Sequence, residues 1–269
     1  MLITFGVVLA LAPLALLALF LLISGVDYRW ESHVAHFWLV LAAALVTLGL
    51  GYAVSATARR RRDARLFLIS LAFMASFGFL ALHALATPDV LLGKNAGFEL
   101  ATPVGLVVAA LLAAVSALEL SRSQAMAVMR RSHLLVAALV GVLLLWGAVS
   151  LTETWPLDAP IAAEQLGGWQ VALAVAGIAL FALAAAGYFR IYRRRRATFV
   201  FAVTFALALL AEAMVVIAWA RNWHVSWWEW HVLMLLAFVA IAVAARREWH
   251  EERFSALYLS MRRLQAPGM

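Results

Sequence analysis

The chemistry available to this 269-residue chain rests on seven histidines, a few carboxylates and eleven tryptophans, because it contains no cysteine. His33 and His36 are three residues apart, so on a helix they project from similar faces. His83 and His231 lie far along the chain, each close to one end of a long apolar run. With helices drawn over those runs, His36, His83 and His231 reach similar depths on three different helices. Neutral imidazole binds copper, zinc and haem iron. His33, His36, His83 and His231 are therefore candidate metal ligands, with copper, zinc or haem b as the candidate cofactor. No spacing among them dictates one metal. The bland alternative is a set of interfacial histidines hydrogen-bonded to water, headgroups or carbonyls.

Glu212 is the only carboxylate expected well inside a span, and ionisable groups at that depth usually face a cavity or a partner. It can pair with one of the histidines, carry a proton or bind a ligand amine. Protonated by burial, it can equally donate a hydrogen bond between helices. Trp223, Trp227 and Glu229 stand beside His224 and His231 and complete the candidate ligand-binding set with Glu212. Asp27, Glu31, Glu99 and Glu153 fall at helix ends on the same side, as rim residues or ordinary caps.

The elements that position these groups follow from composition. Apolar residues make up 66% of the chain and charged residues only 13%, with a mean hydropathy of +0.95. A soluble domain needs more charge to cover its surface, whereas apolar runs of about twenty residues match a bilayer core. Absence of cysteine excludes disulfides, thiolate metal sites and iron–sulfur clusters. The expected fold is an all-α integral membrane protein, a bundle of about eight transmembrane helices. The spans read Leu2–Ile23, Phe37–Ala56, Leu66–Ala86, Thr102–Leu120, Leu134–Leu151, Trp169–Phe189, Ala197–Ala220 and Trp228–Ala245. The first lacks a basic leader and a small-residue cleavage site, so it is kept as a helix.

Of the 21 basic residues, all but Arg29, Lys94 and Arg221 fall on one side. They occupy the loops around Arg59–Arg65, Arg122–Arg131 and Arg190–Arg196, and the stretch from Arg246 onward. The positive-inside rule then makes both termini cytoplasmic, in a cell (inner) membrane. That distribution also argues against nucleic acid as a partner, leaving lipid headgroups to meet the net charge of +7. Trp30, Trp38, Trp155, Trp169, Trp219, Trp223, Trp227, Trp228 and Trp230 gather at the opposite, outer ends, as interfacial anchoring predicts. Thr102-Pro103 reads as a helix N-cap followed by proline at the first helical position. Asp158-Ala159-Pro160 breaks an outer loop. Glu119 is expected to pair with Arg122, and His133 to contact headgroups. No internal repeat is visible, so a transporter built from two halves gains no support.

Residues 1–245 thus form the bundle and residues 246–269 a cytoplasmic helix or tail. Phe254, Leu257, Met261 and Leu264 are spaced 3-4-3, a seam for a homodimer or for a surface helix. The stretch Arg253-Phe254-Ser255-Ala256-Leu257-Tyr258-Leu259, after Trp228-Glu229-Trp230-His231 and its span, resembles the junction in certain bacterial adenylate/guanylate cyclases. There a multi-pass membrane region meets the cytoplasmic catalytic domain. His83-Ala84-Leu85-Ala86-Thr87-Pro88, with Asn95-Ala96-Gly97-Phe98 and Ala101-Thr102-Pro103, is similar to an outer connection of those regions. The sequence up to Met269 holds no counterpart of the paired metal-binding aspartates of such a domain. What the resemblance implies is therefore an input role and a cytoplasmic signalling enzyme as partner.

Three functions compete. The leading one is a membrane sensor module that binds a ligand, metal or haem through His36, His83, His231 and Glu212 and relays through the last helix. The second is a haem- or copper-binding redox or metal-handling protein using the same histidines. The third is a small-molecule transporter. No nucleophile, base and oxyanion set is present, so catalysis by this chain is not expected.

Overall fold

The computed structural model describes residues 2–23, 25–85, 87, 90–91, 95–154, 157 and 168–265, with side chains outside 2–10, 98, 168–170 and 250–265. Its elements are α1 (Leu2–Leu22), α2 (His33–Arg61), α3 (Ala64–Leu85), α4 (Ala96–Ala117), α5 (Arg122–Arg130), α6 (Ser132–Leu151), α7 (Gly168–Arg195), α8 (Thr198–Trp219) and α9 (Val225–Gln265). The only pairing outside helices, among the described residues, is one isolated bridge between Arg29 and His224. Seven helices, α2 to α4 and α6 to α9, are long and apolar enough to cross a membrane, and α1 adds a shorter apolar stretch over Leu11–Leu22. The protein is a multi-pass helical membrane protein. Each expected span falls in its own helix.

Local chemistry sets the helix ends. Ser32 caps α2, its side chain accepting from the Ala35 N–H at 3.4 Å. At the other end Arg62 adopts φ 52° and its N–H returns to the Ala58 and Arg59 carbonyls, closing the helix with a left-handed residue. Asp63 then starts α3 by accepting from the N–H groups of Arg65 and Leu66 at 2.9 and 3.1 Å. Arg65 reaches across to the Ser116 and Leu118 carbonyls, both at 3.0 Å, and caps the end of α4.

Six helices close a ring in the order α2, α3, α4, α7, α8, α9 and back to α2. Helix α1 leans on α8 and α9 from outside, and α6 leans on α3 and α4. The seams are lined by small residues, including the fully buried Ala44, Ala75, Ala110, Ala184, Ala206, Ala213 and Ala237. Lipid is as apolar as leucine, so membrane helices associate by close packing, which small residues permit. At the α3–α4 seam Gly105 lies against the side chain of Phe79, which occupies the space a Cβ would need.

Several local expectations change. Helix α4 begins at Ala96, with Glu99 N–H donating to the Asn95 carbonyl at 3.0 Å, so Thr102 and Pro103 lie inside the helix and not at its cap. Asn95 fixes that earlier start by donating to the Ser150 carbonyl at 2.7 Å. The stretch after α4 is not a plain loop. It contains α5, a nine-residue helix opened by a reciprocal Ser121–Gln124 capping box. Glu119 pairs with Arg194 at 2.9 Å, not with Arg122, because α7 ends beside the α4–α5 connection. Trp155, Pro88-Asp89 and Asp158-Ala159-Pro160 lie outside the described residues, as do the side chains of Trp169, Phe254, Leu257, Met261 and Leu264.

Candidate metal centre

Two connections distant in sequence are stitched together above the ring. Trp30 N–H donates to the Trp223 carbonyl at 2.8 Å, and Val225 N–H donates to the Tyr28 carbonyl at 3.1 Å. Asp27, fully buried at its side chain, caps α9 from a different part of the chain. It accepts from the Ser226 N–H at 2.9 Å and from the Ser226 hydroxyl at 3.1 Å. The Trp228 indole donates to the Trp30 carbonyl at 2.8 Å. This clamp holds the start of α2 against the start of α9, across the ring's closing seam.

Below the clamp, His36 of α2, His83 of α3 and His231 of α9 converge. One nitrogen from each lies within 4.8 Å of the others, and all three residues are buried. The ring centroids form a triangle of 5.2 Å (His36–His83), 4.8 Å (His36–His231) and 6.5 Å (His83–His231). His231 Nδ1 lies 3.2 Å from the Trp227 carbonyl. A carbonyl only accepts, so Nδ1 carries the proton and Nε2 presents its lone pair. His36 Nδ1 lies 3.0 Å from the Thr87 hydroxyl. The Nε2 atoms of both His36 and His231 are buried without a hydrogen-bond partner. A ring held through one nitrogen, with the other bare, is the arrangement metal-ligating histidines use.

The walls are indole. Trp230 stacks on His231 at 3.4 Å between centroids, and Trp227 lies 4.2 Å from it. Trp227 is also 5.1 Å from His36. Trp223 packs 4.6 Å from Trp227 and holds φ 61°, a left-handed conformation uncommon for a bulky residue. The three rings face one another at 4.8 to 6.5 Å between centroids, a spacing at which three imidazoles can meet a single ion. Metal–nitrogen bonds of about 2.0–2.1 Å put three ligand nitrogens roughly 3.4 Å apart, so an ion would draw the ring nitrogens, now within 4.8 Å, together by up to about 1.4 Å.

The other candidate residues fall around this trio. His33 sits one turn above it, 3.1 Å from Glu31 and 5.0 Å from the Trp223 ring. Glu31 carries a carboxyl held below its usual value by the His33 hydrogen bond and then by Arg29. Glu212 and Glu229 are buried but stand outside the trio. One Glu212 oxygen and both Glu229 oxygens have no hydrogen-bond partner. His224 supplies the carbonyl that accepts from the Trp227 and Trp228 N–H groups at 2.9 and 3.3 Å. Sequence reasoning missed Thr87 as the partner of His36, and the Asp27–Ser226 clamp. Nothing local marks either one, because both contacts join distant segments.

The protein is thus, by fold and site, a multi-pass helical membrane protein with a buried tri-histidine cluster. No family model, curated protein or solved structure matches the chain.

Proposed function

We propose that this chain is a membrane input module in which a transition-metal ion bound by His36, His83 and His231 shifts helix packing, and α9 carries the shift to the cytoplasm. The observation that carries this reading is the convergence of three buried imidazoles from three helices within 4.8 Å, one of them on α9. At ~1.5 Å per residue the 41 residues of α9 span about 60 Å, twice a bilayer core of about 30 Å. The helix that supplies His231 therefore also leaves the membrane. With the arginine-rich connections facing the cytoplasm, the metal site lies near the outer face and both termini lie inside. The resemblance to the membrane regions of bacterial cyclases agrees with this direction of relay.

Coupling requires the ion to favour one packing over another. Drawing three rings together moves α2, α3 and α9 relative to each other, which supplies that preference. Glu248 latches the far end, accepting from the Phe199 N–H at the start of α8 at 3.1 Å. The test is a distance measurement between spin labels, one on α9 beyond Trp249 and one on α5, with zinc or copper added to protein in nanodiscs. A metal-dependent distance change that His36→Ala abolishes supports the relay. Stoichiometric binding with an unchanged distance refutes it and leaves a metal-handling role.

A further inference from the structure

On the opposite, arginine-rich side, α5 presents an unusual surface. Arg122, Ala125, Met126, Met129 and Arg130 recur at helical spacing, and they line one wall of an open cavity of about 590 Å³. Arg59 and Arg62 from the end of α2 face them, with Ser132 and His133 at the start of α6. Helix α5 therefore turns Arg122, Met126 and Arg130 toward a gap, while Met129 also packs against the apolar cluster of Phe67, Leu68 and Leu71 on α3. Met126 is 59% exposed there.

The charge in this gap is unanswered. Arg194 pairs with Glu119 and Arg29 with Glu31. Among the described residues no carboxylate lines the cavity, and none of its four arginines makes an ion pair. Arg59 instead contacts the His133 ring at 3.4 Å and lies over the Phe67 ring at 5.3 Å. Asp63, the nearest acid in sequence, is committed to starting α3. Guanidinium groups with planar paired donors suit phosphate oxygens. The volume falls in the range of small-ligand sites.

Helix α6 starts at the rim of this cavity, and little of it is buried by the other helices. Leu134, Leu144 and Leu145 are 68%, 69% and 65% exposed, so an apolar track runs from the basic cavity along the membrane-crossing helix. A soluble phosphate needs no such track, whereas a phospholipid does. We infer that the cavity between α5 and the end of α2 binds the headgroup of an anionic phospholipid, its phosphate among Arg59, Arg62, Arg122 and Arg130 and its acyl chains along α6. Basic clefts at the cytoplasmic side of helix bundles are suited to such headgroups.

The test uses the full chain in neutral detergent and short-chain phosphatidylglycerol, with phosphatidylcholine and inorganic pyrophosphate as competitors, read by native mass spectrometry. Phosphatidylglycerol binds at least tenfold more tightly than phosphatidylcholine, and the Arg62→Gln/Arg122→Gln/Arg130→Gln variant loses that preference. Met126→Glu, which adds a negative charge to the exposed stripe and removes no cation, weakens phosphatidylglycerol in the same direction. Arg60→Gln/Arg196→Gln, two cytoplasmic-side changes outside the cavity, leaves the preference intact. Equal binding of the two lipids, or equal loss in the Arg60/Arg196 control, overturns the inference. Pyrophosphate binding as tightly as the lipid overturns it too, and assigns the cavity to a soluble phosphate.

Discussion

His231 donates from Nδ1 to a backbone carbonyl of its own helix, so its tautomer survives changes in neighbouring side chains. His36 depends instead on the Thr87 hydroxyl. Thr87→Val removes that hydrogen bond while keeping the shape, and it is expected to lower metal affinity 10–100-fold; isothermal titration with zinc or copper checks this. Glu31 makes the pH argument at this scale. Its folded value is depressed by His33 and then Arg29, so its stabilisation is present above the unfolded carboxylate value. It is lost as pH falls through the folded one. Glu31→Gln should therefore lower the melting temperature slightly at neutral pH and not at all in strong acid. The trio of His36, His83 and His231 was legible in the sequence, since depth alone grouped them. His33 was grouped with them by its spacing, but it sits one turn higher, where Glu31 takes its ring. Thr87 was not legible, because its role exists only once α2 and α3 are packed.

At the scale of elements, the Asp27 clamp and the small-residue seams hold the ring closed. Asp27→Ala removes a cap on α9 supplied from another segment, at a cost of about 1–2 kcal/mol. It should also weaken metal binding, because the clamp aligns His36 with His231; thermal melting with and without metal separates the two effects. Gly105→Leu forces a side chain into the space of Phe79. Overpacking of this kind costs about 1–3 kcal/mol, seen as a lower melting temperature and a weaker α3–α4 seam in limited proteolysis. Seven of the expected spans fall in helices long and apolar enough to cross a membrane, and the first falls in α1, whose apolar stretch is shorter, because twenty-residue apolar runs have few alternatives in a bilayer. The start of α4 did not follow the sequence signal at Thr102-Pro103. The Asn95 contact with the Ser150 carbonyl is a tertiary interaction that recruits seven more residues, 96–102, into the helix. Helix α5 was hidden for a different reason: it is short and polar, with a stripe that faces a cavity, so no apolar run announces it.

For the whole molecule, the ring topology places the histidine trio and the basic cavity at opposite ends of the same bundle. The absence of cysteine makes that arrangement directly testable. Tyr28→Cys should react with an impermeant maleimide from outside intact cells, and Ser123→Cys only after the membrane is opened. The charge asymmetry of the sequence predicts this direction, whereas no sequence signature names a ligand. The central claim is that His36, His83 and His231 form a metal site. Its most direct test is metal content and an optical spectrum of detergent-purified protein, for the natural chain and for His36→Ala, His83→Ala and His231→Ala. The account predicts about one zinc or copper ion per chain, no haem Soret band, and loss of the ion in each variant with the fold retained. Metal-free protein that takes up neither ion on titration, or an ion that persists in all three variants, contradicts it.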